Sequence, residues 1–132
     1  MNKIKYKNIG EKIQVKNASW SFGKKVPKNF TKHIKRSVPF HSEGHEIILQ
    51  LSDFFLKKKS YCYDLGCSLG AVTLSIRQRL KKQNCQIIAV DNSPAMIEKA
   101  QHILLADKAS DIDVQLVCED IADTVIENAS VV

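Results

Sequence analysis

No two cysteines in this sequence have the C-x-x-C spacing: Cys62, Cys67, Cys85 and Cys118 stand apart, which leaves a disulfide framework or a zinc site without support. They are expected as reduced thiols in and beside strands, and no metal is expected. No apolar run approaches the ~20 residues of a transmembrane helix, so no membrane span is expected. The lysine-rich start lacks the apolar stretch of a signal peptide, which makes a cytoplasmic protein the expectation. Internal repeats and low-complexity segments are absent as well. Acid is scarce in residues 1–41, where Glu11 alone opposes eleven Lys/Arg for a net +10; residues 42–132 net −4, and the whole chain is +6. A basic arm of this kind can neutralise phosphates. With only Trp20, Phe22 and Phe30 interleaved and no recognised binding motif, a solvated face is the plainer reading. The 132 residues, 44% of them apolar, provide for one domain with a single core.

What is present concentrates between Tyr61 and Ala95. Tyr61 to Leu65 is a short run of strand formers that stops at Gly66-Cys67-Ser68-Leu69-Gly70, where two glycines allow a sharp turn and a close approach to a ligand. Leu69, Val72, Ile76 and Leu80 then recur at helical spacing, with Arg77, Arg79, Lys81 and Lys82 mostly on the other face, and the helix is expected from Leu69 to Lys82. A second apolar strand, Gln86 to Val90, ends in Asp91. Strand, glycine turn, helix, strand and terminal acid make a nucleoside-binding unit, because that acid can accept hydrogen bonds from both ribose hydroxyls. On this reading, replacing Asp91 affects binding and leaves folding nearly unchanged. The dinucleotide pattern G-x-G-x-x-G is not met, since Ser68 stands at its second glycine. Asp64, one residue before Leu65-Gly66, instead fits the acid and glycine turn of the class I S-adenosylmethionine-dependent fold.

Around this unit the chain reads as helices and further strands. Val26, Phe30, His33 and Ile34 share one side of a short helix beginning near Pro27 and ended by Ser37-Val38-Pro39. A longer helix is expected from about Glu43 to Lys58, with Ile47, Ile48, Leu51, Phe54 and Phe55 as its apolar face. Ser93 as N-cap and Pro94 open another helix, with Met96, Ile97, Ala100, Ile103 and Leu104 as its buried stripe. A third strand is expected at Val114 to Cys118, and Ala129 to Val132 read as a fourth strand just beginning.

Three strings then add a resemblance: YDLGCSLGA-TLS from Tyr63 to Ser75, C-IIA-DNSPAMIE from Cys85 to Glu98, and RSVP from Arg36 to Pro39. Together with Asp120-Ile121 and IENAS at Ile126 to Ser130, they closely resemble the carboxy-S-adenosyl-L-methionine synthase family. The resemblance implies an α/β fold, the class I methyltransferase (Rossmann-like) parallel sheet preceded by two helices and truncated at its fourth strand. It divides the chain into a basic arm with a short helix (1–41) and the N-terminal part of the S-adenosylmethionine-binding domain (42–132).

The reaction implied takes S-adenosyl-L-methionine and prephenate to carboxy-S-adenosyl-L-methionine and phenylpyruvate, for oxyacetyl modification of a tRNA wobble uridine by a partner enzyme. A homodimer is implied too, and direct tRNA binding is not. By the family pattern the cofactor-binding residues are Gly66, Cys67 and Ser68 at the amino-acid end, Asp91 and Asn92 at the ribose, and Asp120 and Ile121 at the adenine. Asn92 could equally serve turn chemistry before Ser93. Where the family carries a tyrosine two residues after the RSVP proline, this chain has His41, which can still donate to a carboxylate. An asparagine and an arginine of the family pattern fall beyond Val132, so catalysis is not expected of these residues alone. A conventional methyltransferase and a nucleoside-binding relative without chemistry remain the competing readings.

Overall fold

The continuous apolar runs become strands of one parallel sheet. The computed structural model describes residues 26–80, 84–108, 110 and 112–132; Trp20, most of the basic arm, Lys81 and Lys82 lie outside the described residues. Strands β1 (Tyr61–Leu65), β2 (Gln86–Asp91), β3 (Val114–Cys118) and β4 (Ala129–Val131) lie in the order β3-β2-β1-β4. The β1–β2 register runs from Tyr61 opposite Gln86 to Leu65 opposite Val90, and β2–β3 pairing carries on to Asp91 opposite Cys118. Strand order reverses beside β1, and in such sheets ligands bind outside the carboxyl ends of the strands at that point.

Helices α1 (Val26–Ser37), α2 (His41–Phe55), α3 (Ala71–Arg79) and α4 (Pro94–Ala106) accompany the sheet. The third is shorter than its periodicity predicts, because Gly70 sits at φ 73 and helical geometry begins only after it. Ser93 stands at the N-cap of α4 as expected, yet its hydroxyl does not cap the helix; its carbonyl accepts from the amides of Met96 and Ile97. Met96, Ala100 and Leu104 are buried, with Ile97 and Ile103 half-buried beside them, as the predicted stripe requires. The core gathers Leu56, Cys62, Ile76, Leu80, Cys85, Ile87 and Ile112, and each large aliphatic side chain so buried contributes roughly 1.5–3 kcal/mol.

Two expectations are corrected. The apolar stripe of α2 faces outward: Ile47, Ile48, Leu51, Phe54 and Phe55 are all exposed, Phe54 at 81%. The face turned to the protein is the next one round, where Leu49 packs against the core and Ser52 and Leu56 are buried. Ser52 can be buried because its hydroxyl donates to the Ile48 carbonyl at 2.7 Å.

Arg77, read as a solvent-face residue, is instead a staple. Its guanidinium donates to the carbonyls of Ile112 (3.0 Å), Leu104 (2.9 Å) and Ser110 (2.8 Å) and pairs with Asp107 at 3.3 Å. Its side chain is only 15% exposed, so α3, the end of α4 and the approach to β3 are joined by one largely desolvated cation. Arg77→Ala is expected to cost about 3–5 kcal/mol, because it removes the cation paired with Asp107 and the guanidinium donors to the Ile112, Leu104 and Ser110 carbonyls in a water-poor site. Urea denaturation measures this, and a midpoint shift worth under about 1 kcal/mol would show the staple to be unimportant.

Candidate functional site

Where β1 ends, the backbone amides of Gly66 and Cys67 both donate to the Val90 carbonyl at 2.8 Å, so the glycine turn is held against the last residues of β2. Gly66 has φ +79, and a Cβ built on it meets nothing within 4 Å: it needs glycine for its conformation, and its free face opens onto a cavity. Gly70 differs. A Cβ there would make an ordinary contact with the Ala100 Cβ at 3.4 Å, so it is the left-handed backbone at φ +73 that calls for glycine. Of the two glycines expected to make room for a ligand, Gly66 opens onto a cavity, while Gly70 faces Ala100 and Thr73.

Ser68 adopts φ 52, uncommon for a residue with a side chain, and its amide donates to Asp91 Oδ2 at 2.9 Å. The other carboxylate oxygen of Asp91 accepts from the Ser93 amide, also at 2.9 Å. One side chain therefore ties the β1 turn to the loop that opens α4. A carboxylate has about four lone-pair sites, so each oxygen keeps room for a further donor. The turn chemistry weighed for Asn92 belongs to Asp91, whose Oδ1 closes the turn two residues on; Asn92 is exposed at the cavity rim.

Two adjoining cavities share Gly66 and Ser68. One, of about 280 Å³, is lined by Gly66, Ser68, Asp91, Asn92, Met96 and Ile121. The other, of about 190 Å³, reaches from Gly66, Cys67 and Ser68 past Asp64 to His41 and His45, with Phe30 and Ile34 among its walls. Seven of the eight sequence-predicted residues thus line one or both of these adjoining cavities. Asp120 lines neither cavity: it is exposed beside Ile121, and its Oδ1 accepts from the Ala122 amide at 2.9 Å.

The electrostatics of the narrower cavity were not legible beforehand. Burial pushes the Asp64 carboxyl above its ordinary 3.8, opposed by a 2.6 Å hydrogen bond from Thr73 Oγ1 and by the neighbouring His45, while Asp91 adds to the rise. Burial first, then Asp64 and Asp91, push the Cys67 thiol up to about 12, so it is a neutral wall and no nucleophile. Burial and the neighbouring His41 hold His45 below its usual range. His45 itself was missed, although its spacing of four from His41 signals a shared helix face.

These features fit a nucleoside with a charged amino-acid tail: an open glycine face, an acid with spare acceptor capacity at one end, and an acid facing two imidazoles at the other. The methyltransferase domain family matches residues 63–131, more than half of the chain. The chain belongs to this family. It is 50% identical over 113 residues to the carboxy-S-adenosyl-L-methionine synthase of Citrifermentans bemidjiense, covering 86% of this chain and 46% of that protein. The synthase of Escherichia coli O7:K1 is 47% identical over the same span, with 45% of that protein covered. The chain therefore spans about half the length of these curated relatives. Among solved structures, a candidate S-adenosyl-L-methionine-dependent methyltransferase from Methanococcus maripaludis superposes with a TM-score of 0.62 at 24% identity, over 88% of this chain and 51% of that one. A plantazolicin methyltransferase solved with SAH gives 0.51 at 21% identity, over 74% and 35%. Both share the class I methyltransferase fold expected from the sequence.

Two outcomes follow from this methyltransferase-type site. Because the folded protein raises the Asp64 pKa, its stability falls as pH rises above about 3.8 and the charge must be carried in place. Asp64→Asn, which can still accept from Thr73, is expected to raise the melting temperature at pH 7, with the gain shrinking toward pH 4. Thermal unfolding across that range checks it, and an unchanged or lowered melting temperature at pH 7 would count against a buried charge here. Asp91→Ala is expected to cost folding stability as well as ligand affinity, contrary to the sequence expectation. Losing the two hydrogen bonds that the Ser68 and Ser93 amides donate to the carboxylate costs about 1–3 kcal/mol. Denaturant titration beside calorimetry separates the two effects.

Proposed function

We propose that this chain forms the S-adenosyl-L-methionine-binding portion of a carboxy-S-adenosyl-L-methionine synthase. The 50% identity across 86% of the chain carries the reading, and the paired cavities support it. Asp91 accepts from the ribose hydroxyls with the lone pairs its two amide partners leave over, and Asn92 lies beside it. Ile121 covers the adenine, with Asp120 next to it for the exocyclic amine. Gly66 admits the ligand chain between the two cavities, Cys67 and Ser68 flank its amino-acid end, and His41 takes the place of the family tyrosine.

When bound, between Gly66, Cys67, Ser68 and Asp91, the cofactor would supply a positive sulfonium that makes its methyl group acidic; prephenate's carboxyl group would go to that carbon, and the methyl proton and the hydroxide lost by prephenate would leave together as water. The residues present contribute proximity and exclusion of water rather than acid–base chemistry: Cys67 is a neutral thiol, and the cavity is walled by Phe30, Ile34, Leu69 and Val72. The enzyme is a cytoplasmic homodimer that serves tRNA wobble-uridine modification through its product and makes no direct tRNA contact. The acidic domain 42–132 supplies most of the cofactor contacts, and Phe30, Ile34 and His41 from the end of the basic arm 1–41 complete the narrower cavity.

The test joins this chain to the remaining half of the Citrifermentans bemidjiense relative and incubates the product with S-adenosyl-L-methionine and prephenate. Mass analysis of the nucleoside is expected to show the gain of one carboxyl group. Loss of a methyl group to an acceptor would establish conventional methyl transfer, and a bound but unchanged nucleoside would leave a binding protein only; either result overturns the synthase reading.

A further inference from the structure

The narrower cavity holds a pair of imidazoles: His41, at the position of the family tyrosine, and His45. His41 and His45 lie one helical turn apart on α2, with ring centroids 4.2 Å apart and planes tilted by 44°. Both line the cavity that continues from Gly66, and Asp64 lines it too. Among the described residues, His41 Nδ1 is the one buried side-chain nitrogen or oxygen without a hydrogen-bond partner. Buried polar atoms are rarely left unmatched, and one that is left so beside a cavity points to a ligand.

We propose that His41 and His45 together form the receptor for the α-carboxylate of the ligand's amino-acid tail, drawing in one proton as the ligand binds. The inference rests on the S-adenosyl-L-methionine reading and deepens it. The polarity follows from charge. An α-ammonium group placed against two imidazoles would compete with any proton they carry, whereas Asp64 offers that ammonium a carboxylate held by Thr73. A carboxylate beside the imidazoles favours their protonated form.

The charged and titratable groups acting on His45 are His41 on its own helix, Asp64 from β1 and Lys35 from α1. In the free protein, burial, His41 and Lys35 hold His45 below its usual range against the pull of Asp64, so at neutral pH His45 carries little charge. An arriving carboxylate reverses that balance, and a proton must come from solvent. Paired imidazoles make the tail, rather than the nucleoside, the part of the ligand whose affinity depends on pH.

Calorimetry on the 132-residue chain tests this with two probes: S-adenosylhomocysteine, which has the tail, and 5′-methylthioadenosine, which lacks it. Titrations at pH 7 in buffers of different ionisation enthalpy count protons. The expected result is proton uptake with the first ligand and none with the second. His45→Gln should weaken S-adenosylhomocysteine binding about tenfold, as loss of a charge-assisted hydrogen bond does, and abolish the uptake. Its binding of 5′-methylthioadenosine should be unchanged, and His41→Gln should behave alike.

Equal proton counts for both ligands in the unsubstituted protein overturn the receptor while leaving the nucleoside site standing. So does a His45→Gln protein that keeps affinity and uptake. If the unsubstituted protein binds neither ligand, the cofactor reading falls and takes the receptor with it. Should His45→Gln fail to fold, the two-ligand comparison on the unsubstituted protein still decides.

Discussion

The Asp91 carboxylate is the joint on which the site is built. It accepts from Ser68 in the turn after β1 and from Ser93 in the loop before α4, each at 2.9 Å. Without it, the glycine turn would be held to β2 only by the Val90 carbonyl. The strand ends are thereby locked in the relative position that opens Gly66 to the cavity. One acid both assembles the turn and retains acceptor capacity for a ligand, so structural and binding roles at this position cannot be separated by inspection of the sequence.

A second clamp secures the other side of β1. The Tyr63 hydroxyl donates to the Glu127 carbonyl at 3.3 Å and accepts from the Glu127 amide at 3.2 Å. Asn128, at φ 48, donates from its side chain to the Lys59 carbonyl, and Ser130 meets Ser60 at 2.6 Å. Part of the IENAS string that marks the family resemblance is thus occupied in docking β4 onto β1. A family motif at a strand entrance can record a packing requirement as much as a ligand contact.

How much was legible follows from what local sequence encodes. The bounds of β3, and of β2 to within its final acid, match expectation: in central β2 the buried Ile87, Ala89 and Val90 make a continuous apolar run, while the edge strand β3, with no fully buried residue, is delimited by its pairing with β2. The α4 stripe was equally plain. The outward face of α2 was not: periodicity ranks stripes by apolarity and says nothing of which neighbour covers them, so the less apolar stripe of Leu49, Ser52 and Leu56 was passed over. Ser52 hides from a hydropathy reading because its hydrogen bond to Ile48 is what makes its burial tolerable. Arg77 hides likewise, since its partners are carbonyls some thirty positions away that no window along the chain connects. In the site, Gly66, Ser68 and Asp91 could be singled out because strand–turn–strand spacing is local, whereas His45 comes beside Asp64 only through the tertiary placement of α2.

The site also carries costs that a purely structural turn would avoid. Asp64 keeps a carboxyl in a place where burial disfavours its charge, and Thr73, fully buried, spends its hydroxyl on holding that carboxyl. Ser68 sits in the left-handed region, where a non-glycine residue is strained by roughly 1–3 kcal/mol. His41 leaves a buried ring nitrogen unmatched. All three unfavourable features fall within the groove shared by the two cavities, while the opposite end of the molecule is tied by the fully engaged Arg77 and the aliphatic core around Ile87. Left-handed residues also stand away from the groove, at Phe40, Lys59 and Asn128, so it is the buried acid and the unmatched imidazole nitrogen, rather than backbone strain, that give an independent physical reason to place the ligand there.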